Sequence, residues 1–222
     1  MIYTFQFGIL QDYGLYLAGG LWHAWVTSFP AIVLSTLFGL VLAAMHLSRR
    51  RVVRGAAVAF IDLFRTLPVV VLLIWIHYVL PILTGVLFSP TQSSIVALSL
   101  NGAALACEAF RGGLQAIPLT QTQAAQSLGF SRWEVMRYVT IPQAAFATLP
   151  SLTNVHITII KNVTVTVLIA VPEVMFRAQE LTVQFFRPLE LFTGAAVLYI
   201  ALISAYTMMM RTLERLQKWQ PI

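Results

Sequence analysis

Residues 118–142 read PLTQTQAAQSLGFSRWEVMRYVTIP, a polar island in an otherwise apolar chain. Pro118 suits the first turn of a helix, where its missing N–H costs nothing, and Thr120 to Leu128 continue that helix. Gly129 can take the left-handed conformation that stops a helix, and Ser131 is a good cap for a second one over Arg132 to Val139. Pro142 then ends the second helix or opens the next. The expected product is a short helix, a sharp Gly turn and another short helix, with Ala124 and Ala125 leaving room for close approach by another surface. Such a knuckle has two readings. The order Ala-Ala-x-x-Leu-Gly-x-Ser-Arg suits a helix-turn-helix that places a recognition helix in DNA, and it equally suits a protein-docking loop.

Composition narrows the choice. Of 222 residues, 59% are hydrophobic and only 10% charged, against about 25% charged in a soluble domain. That much apolar surface exceeds what one core can bury, so a bilayer is the natural solvent. The net charge of +6 is therefore read by position before nucleic acid is invoked. One cysteine, Cys107, excludes an internal disulfide, a Cys-rich zinc site and a Cys-ligated iron–sulfur cluster. No positive charge precedes the first apolar run, so no cleavable signal peptide is expected.

A helix needs about 20 apolar residues to cross a bilayer. Five stretches qualify: about 22–46, 57–80, 93–110, 144–171 and 190–210. Residues 1–20 are too broken by Gly and polar residues to span. They are expected to lie as an interfacial segment with Tyr3, Phe5, Phe7, Tyr13 and Tyr16 at headgroup level, or to form a loose tail. Ten cations fall on one side of these spans: Arg49, Arg50, Arg51, Arg54, Arg111, Arg132, Arg137, Arg211, Arg215 and Lys218. Only Arg177 and Arg187 fall on the other, with Arg65 and Lys161 inside spans. The positive-inside rule then sets the N-terminus outside, the C-terminus inside, and the Gly129 knuckle in the cytoplasm. Two cations in that knuckle are few for phosphate contacts, which disfavours DNA.

Four motifs carry a resemblance to a known family. The first is Gln123-Ala124-Ala125, three residues, Gly129, nine residues, then Val139-Thr140-Ile141-Pro142. The second is Phe64-Arg65-Thr66-Leu67-Pro68, and the third Glu108-Ala109-Phe110-Arg111-Gly112-Gly113-Leu114. The fourth is Ile160-Lys161-Asn162-Val163-Thr164-Val165, followed by Val171-Pro172-Glu173-Val174. In this order the chain resembles the permease subunit of a type I ABC importer of the polar amino-acid uptake family, over about residues 20 to 212. It departs from the family pattern at Gln123, where a Glu is expected, and at Val163-Thr164-Val165 and Val174, where Thr-Ser-Leu and Leu are expected. The resemblance implies an all-α integral membrane protein. One permease domain, 1–222, would hold five transmembrane helices and a cytoplasmic coupling loop, about 115–142, between spans 3 and 4.

Residue roles follow from both sources. No Gly-x-x-x-x-Gly-Lys-Ser/Thr occurs, and neither Lys161 nor Lys218 follows a glycine, so no loop of this kind cradles a nucleotide phosphate. The chain is expected to carry no catalysis and no cofactor, with ATP and Mg held by a partner ATPase. Gln123, Ala124, Ala125, Leu128 and Gly129 are expected to couple to that ATPase. Gln123 keeps the hydrogen bonds of a Glu but not its charge, which points to an unequal pair with a sister permease. Lys161 shares a helical stripe with Asn154, Thr158 and Thr164, and an intramembrane charge marks a function by default. Lys161, Asn162, Asn154, Thr158 and Thr164 are therefore expected to line the pathway, the competing reading being a structural polar seam. In family terms Lys161 and Asn162 lie at a substrate-proximal break of the helix. Arg65 lines the path or pairs with Asp62. Glu108 either joins the pathway or is neutralised by Arg111 three residues on. His77 and His156 are expected to bond between helices, with substrate contact as the lesser role. No histidine or carboxylate pair has metal-ligand spacing, so no metal is expected.

The outer loop 172–190 reads as an amphipathic helix ending before Pro188, with Glu173 and Glu180 on a wet face or against a docked binding protein. The expected partners are an ATP-binding subunit dimer, a second permease (a heterodimer is favoured), an extracytoplasmic solute-binding protein, an amino-acid substrate and the bilayer of a bacterial inner membrane, with no nucleic acid. Importers of an opine or methionine, a membrane-tethered helix-turn-helix regulator and a passive channel are the alternatives.

Overall fold

Helices in lipid gain nothing from hiding apolar side chains, since the tails are as apolar as leucine; they associate where small residues let backbones approach. The first and third expected spans are rich in such residues. The computed structural model describes the backbone of residues 4–216, with side chains as far as Glu214; Tyr3 and Lys218 lie outside the described residues. It is helical throughout, without strands among the described residues. The helices are α1 (Gly8–His46), α2 (Arg51–Thr66), α3 (Val69–Thr84), α4 (Pro90–Gln115), α5 (Leu119–Ser127), α6 (Arg132–Ile169), α7 (Val174–Phe185) and α8 (Pro188–Leu216).

α4 is the hub. Of its most apolar window 67% is buried, against 17% for α8, because it is sandwiched between α1 and α6. Its buried residues are almost all small, among them Ser93, Ala97, Gly102, Ala103, Ala106, Cys107 and Gly113. Opposite them α1 buries Gly20, Ala24, Ser28, Ala31, Ser35 and Gly39, a stripe at helical spacing. The backbones are so close that a Cβ at Gly39 would sit 2.6 Å from the Cβ of Ala106, and one at Gly102 2.8 Å from both Ser35 and Ile159. The N-terminus of α4 is closed by a capping box, Ser89 Oγ accepting from Gln92 N and Gln92 Oε1 accepting from Ser89 N.

Three prolines shape the rest. The expected span 57–80 is not straight: α2 and α3 meet at an angle of 103° across Leu67 and Pro68. Pro68 has no N–H for the carbonyl of Phe64, and Leu67 and Pro68 are both extended (ψ 128° and 132°). Asn101 of α4 donates its Nδ2–H to that bare carbonyl at 2.8 Å. Pro81 and Pro142, by contrast, interrupt nothing. Each lies two residues beyond a π-helical turn, Trp75–Val79 and Val135–Thr140. A wider turn accommodates the missing donor and the ring without ending the helix. Pro142 therefore neither ends nor opens a helix, and the expected loop 115–142 gives way at Arg132 to one 38-residue helix. Lys161 consequently lies well towards the far end of α6, where the last turns tighten to a 3₁₀ helix, Val163–Ile169.

The N-terminal expectation is corrected too. Residues from Gly8 onward are neither a tail nor a separate segment; they are the first turns of a 39-residue helix. Leu17 is fully buried among Val174, Ala178, Leu181, Leu191 and Ala195. Two of the glycines that looked like helix breakers are contact points: a Cβ at Gly19 would meet Arg177 at 2.6 Å and one at Gly20 the backbone of Val174 at 2.5 Å.

The α1–α4 contact makes a direct prediction. Gly39→Ala overpacks the seam and lowers stability by about 1–3 kcal/mol, read as a lower thermal-unfolding midpoint of the detergent-solubilised protein. Gly55→Ala, in a helix with nothing within 4 Å of the new Cβ, leaves the midpoint unchanged or raises it.

Candidate functional site: a docking knuckle and a polar helix face

The knuckle at 118–134 is built from local bonds. α5 ends in a Schellman motif: Phe130 N donates to Ala125 O (3.2 Å) and Gly129 N to Gln126 O (3.0 Å). Gly129 has φ +90°, a conformation that favours glycine because it lacks a Cβ. Two residues on, Ser131 and Glu134 form a capping box, with Ser131 N donating to Glu134 Oε2 at 2.8 Å and Glu134 N to Ser131 Oγ at 3.3 Å. The exit angle of α6 is thus set by hydrogen bonds on both sides of Gly129.

Of the five expected coupling residues, Gln123, Ala124, Leu128 and Gly129 are exposed. Ala125 is not available to a partner; it is buried within the chain, on the helix that packs against the first turns of α6. Leu128, 79% exposed, is joined by exposed Leu119, Trp133 at 72% and Tyr138, several large apolar side chains on a polar loop. Single exposed apolar residues are ordinary, but a contiguous group marks an interaction surface. The helix-turn-helix reading fails here. The presumed recognition helix is the opening of the 38-residue α6 and is not free to enter a groove.

The expected pathway residues separate into groups. Asn154 and Thr158 share a groove of about 360 Å³ with Ser151 and with Glu108 of α4. Lys161 and Thr164 line a second groove, about 410 Å³, against Phe192, Ala195, Tyr199 and Ile203 of α8 and Met175 of α7. Both hydroxyls spend their proton on the helix backbone, Thr158 on Asn154 O (2.9 Å) and Thr164 on Lys161 O (2.8 Å). Their lone pairs remain to accept from the groove. Lys161 is exposed and makes no ion pair among the described residues. Asn162, next to it, is half-buried. Arg111 donates to Glu108 at 2.8 Å, so that carboxylate is neutralised within its own helix.

Two expected residues lie elsewhere. Arg65 is exposed on the corner between α2 and α3 and makes no ion pair with Asp62. His77 joins α3 to α4, its Nδ1 2.9 Å from Ser93 Oγ. His156 ties three helices. Thr36 Oγ1 donates to Ile32 O (2.8 Å), so it accepts from His156 Nε2 (3.0 Å), while His156 Nδ1 accepts from Tyr206 (2.6 Å).

At the opposite end from the knuckle, sequence reasoning misplaced a carboxylate. Glu173 is neither wet nor open to a partner: it is 0% exposed and caps α7. Its oxygens accept from Met175 N (2.7 Å), Phe176 N (2.9 Å) and Tyr199 Oη (2.5 Å). Burial pushes its carboxyl pKa up, against these three bonds, which pull it down. Glu180 accepts from Tyr16 (2.5 Å) and Arg177 donates to Tyr16 O (2.6 Å), which clamps α7 onto α1. The residue before α7, an N-cap position occupied by Glu, was the available signal; the partner Tyr199 was not.

The described residues form a bundle with four to five candidate spans and a short exposed helix at one end, the architecture of a membrane transport subunit. The chain belongs to the family described as "Binding-protein-dependent transport system inner membrane component", which it matches over residues 35–219; it is an ABC importer permease, a multi-pass inner-membrane protein. Among its relatives, the glutamine transport system permease protein GlnP of Escherichia coli (strain K12) is 34% identical over 163 residues, 73% of this chain and 74% of that one. The probable amino-acid ABC transporter permease protein YckA of Bacillus subtilis (strain 168) is 28% identical over 200 residues, 90% of this chain and 88% of that one. A crystal structure of an amino acid ABC transporter with histidines superposes with a TM-score of 0.89 at 27% identity, covering 96% of this chain and 99% of that one. The MetNI methionine ABC transporter, inward facing, shares the fold with a TM-score of 0.68 at 18% identity, over 88% and 91% of the two chains.

The Glu173 cap yields a second prediction. Glu173→Ala strands two amides and the Tyr199 hydroxyl, costing about 1–3 kcal/mol, whereas Tyr199→Phe, which leaves the cap intact, costs less. The order of the two thermal midpoints checks it.

Proposed function

We propose that this chain forms the translocation pathway for a polar amino acid in a bacterial ATP-driven importer, with its N-terminus outside and the Gly129 knuckle in the cytoplasm. Energy comes from ATP and Mg held by a dimer of separate ATPase subunits, on which the knuckle docks. A second permease encloses the path from the other side, and a solute-binding protein delivers substrate to the α7 end. The observation that carries the reading is the exposed α5 knuckle rigidly joined to α6. Because α6 is one helix, a push at Arg132 reaches Lys161, about 40 Å along the axis at 1.5 Å per residue. Packed interfaces behave as discrete states, so such a rod transmits a rigid-body step rather than a gradual strain.

Substrate class is supported by the relatives' names, which include glutamine and amino-acid transport, and by the unpaired Lys161 ammonium over an apolar groove. A cation there suits the α-carboxylate that every amino acid carries, while the acceptor hydroxyl of Thr164 suits its ammonium. Gln123 in place of a Glu removes a charge from α5, which supports an unequal pair of permeases whose other member bears the acid.

Two tests follow. In proteoliposomes of the complete importer with ATP inside, labelled L-glutamine, L-glutamate or L-arginine accumulates; uptake without ATP would identify a passive channel instead. Gly129→Val places a β-branched residue at φ +90°, straining the turn by about 1–2 kcal/mol. Uptake per ATP hydrolysed then falls by about tenfold, and unaltered coupling would count against the docking assignment.

A further inference from the structure

We propose that Asn101 is a positioning residue for transport, whose amide holds the corner between α2 and α3 on the central helix α4. In an unbroken helix the carbonyl of Phe64 would accept from residue 68, but residue 68 is a proline. Leu67 N still donates to Leu63 O and Leu72 N to Pro68 O, both at 3.1 Å; between them the carbonyls from Phe64 to Leu67 have no backbone partner among the described residues. Phe64 itself is packed against two clusters of buried apolar residues, a setting in which an unpaired carbonyl is costly. Asn101, 9% exposed, supplies the missing donor at 2.8 Å. Among the described residues it is the side-chain hydrogen bond that joins α4 to α2.

The chemistry asks for this residue type. A leucine has nearly the same shape and would fill the same space, yet it has no donor. The bond also has a consequence for the pathway. Arg65 and Thr66 stand on the corner that Asn101 holds. Seven residues along α4, on the same face, Glu108 lines the groove with Asn154 and Thr158 of α6. The corner bearing Arg65 and the groove on α6 are thereby referred to one rigid helix. Loss of the bond lets the corner move independently while the knuckle and its ATPase contacts stay as they are.

The inference rests on the importer reading, and its test separates the two. Complete importers carrying Asn101→Leu, Asn101→Gln, Pro68→Ala or both Asn101→Leu and Pro68→Ala are purified and reconstituted. Yield, thermal midpoint, ATP hydrolysis and uptake of labelled L-glutamine, L-glutamate and L-arginine are measured. Asn101→Leu is expected to assemble, to keep hydrolysing ATP and to lose about tenfold in uptake per ATP. Asn101→Gln, which keeps the amide, recovers most of that loss. Unchanged uptake in the Leu variant overturns the proposal, as does a parallel fall of uptake and hydrolysis that the Gln variant shares. If the Leu variant fails to assemble, the double variant decides: residue 68 has regained an N–H, which reaches Phe64 O once Leu67 and residue 68 turn helical, so yield and midpoint return. No recovery means that Phe64 is not the group Asn101 serves. A wild-type importer that takes up none of the three amino acids argues against the substrate reading alone, because the thermal midpoints of the four variants still read the Asn101 bond.

Discussion

Close approach of α1 and α4 is the contact on which the rest of the molecule depends. Their seam of Gly, Ala and Ser brings two backbones to a distance that even one added methyl group would violate at Gly39. In lipid this closeness replaces the hydrophobic effect as the source of association, since only dispersion and interhelical hydrogen bonds distinguish the paired state from the separated one. α6 is added to the far side of α4, with Ile159 at the Gly102 crossing and Gly113 packed against Ala144 and Thr148. Asn154 and Thr158 of α6 and Glu108 of α4 owe their common groove to that sandwich.

The second constraint is backbone satisfaction. A proline in a membrane helix removes a donor that no water replaces. Pro30 and Pro150 lie inside α1 and α6; Pro68, Pro81 and Pro142 are met in two other ways. Before Pro81 and Pro142 the helix widens into a π turn and continues. At Pro68 it breaks and turns through 103°, and a side chain from another helix serves the bare carbonyl. The difference has a functional reading. α6 stays continuous from the knuckle to Lys161, as the proposed transmission of motion requires. The second span is interrupted beside the exposed Arg65.

The outer end is held by polar bonds rather than by small residues. Glu173, Glu180, Arg177 and Tyr16 link α7 to α1 and α8, so the helix nearest the proposed binding-protein side belongs to the same body as the N-terminal turns of α1. His156 performs a similar service at the centre, bonding to one residue on α1 and another on α8. These links tie the outer and central parts of the bundle together, and the knuckle joins it through the turns on either side of α5 and the packing of α5 on α6.

Composition and local pattern determined the solvent, the all-helical class, the Gly129 turn with its Ser131 cap and the family motifs. Each of these rests on residues within a turn or two of one another, so hydropathy and φ preference suffice to read them. The knuckle was the most legible part for that reason: its bonds join neighbours such as Phe130 and Ala125. Only the tertiary structure decided that Gly19 and Gly20 are packing sites rather than breaks. It alone showed that Glu173 is buried on Tyr199, that Ala125 faces inward, and that the polar residues of α6 divide between two grooves. Asn101 belongs there too: Ser94, Asn101 and Glu108 recur every seven residues on α4, a visible seam, but its partner lies 37 residues away. Whether a glycine bends or packs, and whether a carboxylate is wet or capped, depends on what the fold brings opposite it, and no periodicity along one helix encodes that neighbour.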